Sequence, residues 1–151
     1  MSKSFDLVVI GTGEAGSMAA AHCRAAGWRV AIIDSRAFGG TCGLRGCDPK
    51  KVLVGAAEII DREHRMQDKG VTTGSRIDWQ TLIWFKTSFT DPFPKAHEDS
   101  LLTAGIETFH GRAHFAGATS VQVSGETLES KHVLIATGAW PAKLRFRVRS
   151  T

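Results

Sequence analysis

The stretch FDLVVIGTGEAG, Phe5 to Gly16, joins a continuous apolar run to three glycines at the spacing GxGxxG. Val8, Val9 and Ile10 in succession are what a strand buried on both faces needs, since neither set of alternate side chains meets water. The small residues from Ala15 to Ala26 favour a helix, and Gly27 is a natural stop at its carboxyl end. Trp28 to Ile33 predicts a second strand, ending on Asp34. This β-α-β opening makes an α/β fold the expectation.

Working outward, Phe38 to Gly46 reads as a glycine-rich loop, followed by a helix from about Pro49 to Arg65. Met66 to Arg76 is polar and predicts a loop. Asp78 is placed to cap a helix running through Ser88, broken by Pro92 and Pro94. Trp79, Leu82, Ile83, Phe85 and Phe89 are expected to be packing residues of that helix. A shorter helix, Lys95 to Thr103, ends at Gly105. Strand-like pieces follow at Ile106–Phe115, Ser120–Val123 and Thr127–Leu128, with Ser124-Gly125 as a turn, and His132–Ala136 runs into ATGAWP. His110 and His114 alternate with phenylalanines and are expected at or near the surface. The whole predicts three layers: a mainly parallel sheet, helices on one face and a small β-meander on the other.

Composition bounds the function. A chain of 151 residues, 42% hydrophobic, fits one domain with a real core. Its net charge is +4, but Arg145, Arg147 and Arg149 crowd the last seven positions, and without them the balance falls to +1. That is a solvated end, and no nucleic-acid partner is expected. No apolar run approaches the roughly 20 residues that span a bilayer, and the start of the chain has no signal-peptide pattern. The expectation is a cytoplasmic protein without a membrane partner. Three cysteines do not make a disulfide framework; Cys23, in the Ala-rich helix, reads as a small buried apolar residue.

GTGEAG carries the first chemistry. Gly11 permits the tight turn, Gly13 lets backbone N–H groups approach a pyrophosphate, and Gly16 allows close helix–strand packing, with Glu14 and Ala15 opening the helix. The helix N-terminus favours the phosphates, and Asp34 is placed to accept from ribose hydroxyls. This motif alone does not separate FAD from NAD. The stretch GGTCGLRGCDPKK, Gly39 to Lys51, carries the second. Four residues between Cys42 and Cys47 are more than the usual zinc spacing, and there is no second cysteine pair. A dithiol/disulfide couple is the better reading, with a helix start and Arg45, Lys50 and Lys51 expected to stabilise thiolates.

The fingerprint, the acidic residue after the second strand, the GGTCxxxGCxPxK pattern and the later ATG together resemble the class I pyridine nucleotide–disulfide oxidoreductases, the family of glutathione reductase, dihydrolipoamide dehydrogenase and mercuric reductase. The resemblance runs from about Phe5 to Ala142. It implies FAD as cofactor, NAD(P)H as electron donor and a small disulfide or similar acceptor as substrate. By resemblance, Gly11, Gly13, Glu14, Ala15, Gly16 and Asp34 hold the adenosine diphosphate half, and Gly40 and Thr41 the turn over the pyrophosphate. Ala136, Thr137 and Gly138 form a further flavin-contacting segment. Cys42 matches the interchange thiol, Cys47 the thiol facing the flavin, and Lys51 the lysine near flavin N5. No metal site is implied.

Departures from the family pattern are Gly43, Leu44 and Arg45 between the cysteines, Asp48, and Lys50. They leave the acceptor open. The family continues into nicotinamide-binding and dimer-interface domains, so the expectation is an N-terminal part of the FAD-binding domain, residues 1–143, with a basic tail, 144–151. RFRVRST is unlike the connector expected next and predicts a frameshift, premature stop or engineered boundary after about Leu144. On that expectation the piece neither turns over with NAD(P)H nor forms the homodimer of full-length relatives. The competing readings are a catalytically inactive product of such a gene, a fragment of a plain NAD-dependent dehydrogenase, and a thiol or zinc module.

Overall fold

A computed structural model describes residues 2–142; the expected tail, 144–151, lies outside the described residues. In chain order the elements are β1 (Ser2–Ile10), α1 (Glu14–Ala25), β2 (Val30–Asp34), α2 (Gly40–Arg45), α3 (Cys47–Arg65), α4 (Trp79–Thr90), α5 (Phe93–Thr103), β3 (Glu107–His110), β4 (His114–Phe115), β5 (Ser120–Val123) and β6 (Glu126–Ile135). One sheet has the order β3-β2-β1-β6-β5-β4. Its first four strands are parallel, while β5 and β4 add antiparallel to β6.

Alternation along the central strands builds two cores. Leu7, Val9, Val30 and Ile32 point to one face, where Ala20 of α1 and Leu101 of α5 cover them with Phe38 and Ile106. Val8, Ala31 and Ile33 point to the other, where Phe109 and the meander residues Val121, Val123 and Leu128 close over them together with Phe5, which the irregular pairing at Asp6 takes out of the alternation. Val8, Val9, Ile32 and Ile33 are fully buried, each contributing about 1.5–3 kcal/mol by leaving water. The continuous apolar run in β1 is explained by this double burial. Helices, parallel sheet and meander form the three expected layers.

Several boundaries differ from the sequence expectation. The two short strands predicted at 127–128 and 132–136 are one strand of ten residues, β6, which runs beside β1 from Ser2↔Thr127 to Ile10↔Ile135. Its polar middle hid it. Lys131 pairs with Asp6 at 2.7 Å, and the His132 ring stacks on Trp28, so these side chains are served at the surface without leaving the ladder. The single piece expected at 106–115 is split at Gly111, whose φ of 138° ends β3 and lets its N–H bond to the Asp34 carbonyl. The expected loop at 38–46 contains α2, and α3 begins at Cys47, two residues before Pro49. Pro92 and Pro94 open α5 instead of only ending α4, because a proline in the first turn forfeits no helical bond.

Asp78 does cap α4, accepting from the Thr81 N–H at 3.2 Å. The packing expectation for that helix fails in part. Leu82 and Ile83 are half-buried, but Trp79, Phe85 and Phe89 are 61%, 49% and 53% exposed. The helix meets α3 on one side and little else among the described residues. Cys23 is half-buried beside the helical core rather than fully inside it.

Candidate functional site

At the carboxyl ends of β1, β2 and β6 the backbone opens into a hollow of about 410 Å³. Such a crevice is where open α/β sheets receive ligands, because the connections leave the strand ends in opposite directions. Gly11, Gly13, Glu14 and Ala15 line one side, and Asp34 and Arg36 the end of β2. Gly40, Thr41, Cys42 and Cys47 close the facing side, with Ala136, Thr137 and Gly138 beyond. Of the cofactor and redox residues expected from the resemblance, Gly16 and Lys51 do not line it, and neither do Arg45 and Lys50, the expected cationic neighbours of the thiols.

Gly16 has a packing role. A Cβ there would strike the Gly11 carbonyl and approach a Val9 methyl within 3.2 Å, so the glycine is what lets α1 start so close to β1. Lys51 is exposed on α3, one helical turn after Cys47 and on the same side of the helix. Gly13 and Gly40 bring two backbones together: a Cβ on Gly40 would lie 2.5 Å from the Gly13 Cα. No side chain caps the start of α1, so its first N–H groups face the hollow without a competing acceptor. Uncovered N–H groups at a helix start, bare backbone at two glycine turns and a carboxylate at the next strand end fit a dinucleotide.

The cysteines sit on either side of Gly46, Cys42 half-buried in α2 and Cys47 exposed as the first residue of α3. Both are thiols in this structure. The expectation of a stabilised thiolate is overturned at Cys42, whose pKa lies above the ordinary value. Its thiol hydrogen bond to Cys47 is the main cause, and lost hydration and the charges of Cys47 and Asp48 act in the same direction. Among the described residues no three His, Cys, Asp or Glu side chains converge as metal ligands, and no helix is long and apolar enough to cross a membrane.

Three features escaped the sequence reading. Thr12, between the first two glycines, is fully buried and hydrogen-bonded to Asp34 through both its N–H and its hydroxyl. A small pocket beyond Asp34 is lined by Ser35, Arg36, Gly111 and Ala113, residues that no local motif marks. The Arg36 guanidinium lies 4.9 Å from the centre of the exposed Trp140 ring, bridging the two sides of the mouth. Thr12 had a sequence signal, its place inside the fingerprint. The other two contacts exist only because β3 and the segment after β6 end beside β2.

A family model described as pyridine nucleotide-disulphide oxidoreductase matches residues 5–148. The chain is 36% identical over 138 residues to a glutathione reductase of Burkholderia cepacia, covering 91% of this chain and 31% of that protein. It is 32% identical over 145 residues to a dihydrolipoyl dehydrogenase of Chlamydia muridarum, covering 93% of this chain and 31% of the relative. A dihydrolipoyl dehydrogenase of Acholeplasma laidlawii is 29% identical over 141 residues, with 92% of this chain and 42% of the relative covered. The chain thus spans about a third to two-fifths of the length of these relatives.

Proposed function

The chain belongs to the pyridine nucleotide-disulphide oxidoreductase family, and from that premise we propose that it is the FAD-binding, dithiol-bearing part of an NAD(P)H-dependent disulfide reductase. One observation carries the reading: a single hollow is lined by the glycine fingerprint, by Asp34, by both cysteines and by the segment after β6. A plain nicotinamide dehydrogenase has use for the first two but none for the cysteines.

On this reading Asp34 accepts from the adenosine ribose, while the N–H groups at the start of α1 and the Gly13–Gly40 approach receive the pyrophosphate. Thr41 and residues 136–138 border the remainder of the cofactor. When bound, FAD supplies a two-electron carrier between a nicotinamide donor and the cysteine pair. Lys51, one turn from Cys47, adds positive charge on that side.

The thiols then work as a pair. Cys42, as thiolate, attacks one sulfur of the acceptor disulfide and expels the other as a thiolate, which takes up the proton that Cys42 released. Cys47 attacks the Cys42 sulfur of the mixed disulfide, releasing the second thiol and closing the Cys42–Cys47 bond. Two cysteine thiols are oxidised to one disulfide and the acceptor is reduced to two thiols. The raised pKa of Cys42 favours keeping a proton on the resting pair, which the first step must remove.

Two measurements test this. Added FAD should bind saturably, with altered flavin fluorescence; saturable NAD binding with no flavin binding overturns the assignment. Against a Cys23→Ser background, reduced protein given a chromogenic aromatic disulfide should release two thiol equivalents and retain no adduct by mass. A stable adduct on each cysteine would show two independent thiols instead.

A further inference from the structure

Thr12 is held at three atoms. Its N–H donates to Asp34 Oδ2 at 2.9 Å, and its hydroxyl donates to the same oxygen at 2.7 Å. That hydroxyl oxygen also accepts from the Gly39 N–H at 3.1 Å, at the turn leading into α2. The Thr12 carbonyl accepts from the Ser17 hydroxyl at 3.0 Å. Ser17 has spent its only proton there, so its 2.9 Å contact with His97 Nε2 requires the ring to donate. One buried hydroxyl therefore joins the β1–α1 turn, the end of β2 and the Gly39-Gly40 turn, three separate walls of the cradle.

The consequence lies at Asp34. A carboxylate offers about four acceptor positions. Two on Oδ2 are filled by Thr12, and one on Oδ1 is filled by the Arg36 N–H at 3.0 Å. One remains. The two ribose hydroxyls of an adenosine cannot both be served by what is left without displacing a bond internal to the protein.

We infer that Thr12 is the positioning residue of the ribose site: it holds the Asp34 carboxylate in one orientation with one open acceptor position, so that this chain reads one of the two adenosine ribose hydroxyls and tolerates loss of the other. This rests on the dinucleotide reading above and goes beyond it in assigning the residue and the selectivity.

The test uses the full chain and three probes, ADP, 2′-deoxy-ADP and 3′-deoxy-ADP, with binding followed by calorimetry. In the unsubstituted protein one deoxy compound should bind about tenfold or more weakly than ADP, as loss of a bond to a charged acceptor implies. The other should stay within about threefold. Thr12→Ser, which keeps the hydroxyl, should preserve that pattern. Thr12→Val should weaken ADP and bring both deoxy compounds within about threefold of it, since the freed carboxylate no longer discriminates. A merely structural role for Thr12 would weaken all three ligands alike and leave their ratios unchanged, and that outcome overturns the inference. So does equal loss with both deoxy compounds, or with neither, in the unsubstituted protein. Thr12→Ala serves in place of valine if the latter does not fold by circular dichroism. No binding of ADP or FAD to the unsubstituted protein would instead overturn the dinucleotide reading itself.

Discussion

The Phe93 ring lies against Gly43, so close that a Cβ on this glycine would overlap the ring edge; the same ring would stand 2.5 Å from a Cβ on Gly39. Gly39 at the start of α2 and Gly43 within it thus form the slot into which the first residue of α5 inserts, and the helix carrying Cys42 is set against α5 without intervening side chains. Gly43→Ala should destabilise the protein by about 1–3 kcal/mol through overpacking. Urea denaturation measures this, and Phe93→Leu in the Gly43→Ala background should recover most of the loss. No recovery would mean that the ring does not set the position of α2.

Glu14 places a carboxylate at the first position of α1, on the lining of the cradle. A negative charge there benefits from the helix dipole and competes with a pyrophosphate for the same field. Glu14→Gln should therefore tighten FAD binding about two- to fivefold at low ionic strength, and the gain should fade as salt is raised. Weaker binding in the glutamine variant would show that Glu14 assists the ligand instead of opposing it.

The pH dependence of Cys42 tests the thiol pair. Its pKa is raised chiefly by its hydrogen bond to Cys47, so alkylation of Cys42 should rise at higher pH than for an ordinary thiol. Cys47→Ala removes that cause and should move the profile to lower pH. Coincident profiles with and without Cys47 would show that the two sulfurs do not interact.

Glu98 links α5 to β3. Burial pushes its carboxyl up, but the Thr108 hydroxyl at 2.8 Å and His110 Nε2 at 2.7 Å more than offset this, leaving it below the ordinary 4.5. A carboxyl depressed in the folded state contributes stability that is fully present above its unfolded value and is lost as pH falls through the folded one. Glu98→Gln should cost about 1 kcal/mol at neutral pH, and the gap from the unsubstituted protein should close below the ordinary carboxyl range. A gap that persists in acid would assign the loss to packing instead of charge.

What the sequence by itself determined was the part of this protein written in local pattern. Val8, Val9 and Ile10 followed by Gly11, Gly13 and Gly16 specify strand, turn and helix within one short stretch, because backbone geometry and burial on both faces leave little else for those residues to do. Asp34 and the Cys42–Cys47 spacing were legible for the same reason. Tertiary structure decided the rest. Only the sheet order brings Ala136–Gly138 beside Gly11, and only the ladder with β1 makes one strand of a β6 whose middle, Glu129 to Lys131, carries no strand pattern. Lys51 carried a motif yet stands outside the hollow, while Thr12 carried none of its own and sits at the joint of three walls. A hydrogen bond between residues 22 or 27 positions apart has no local signature; it forms because the packed strands put two chain segments within reach and bury them there.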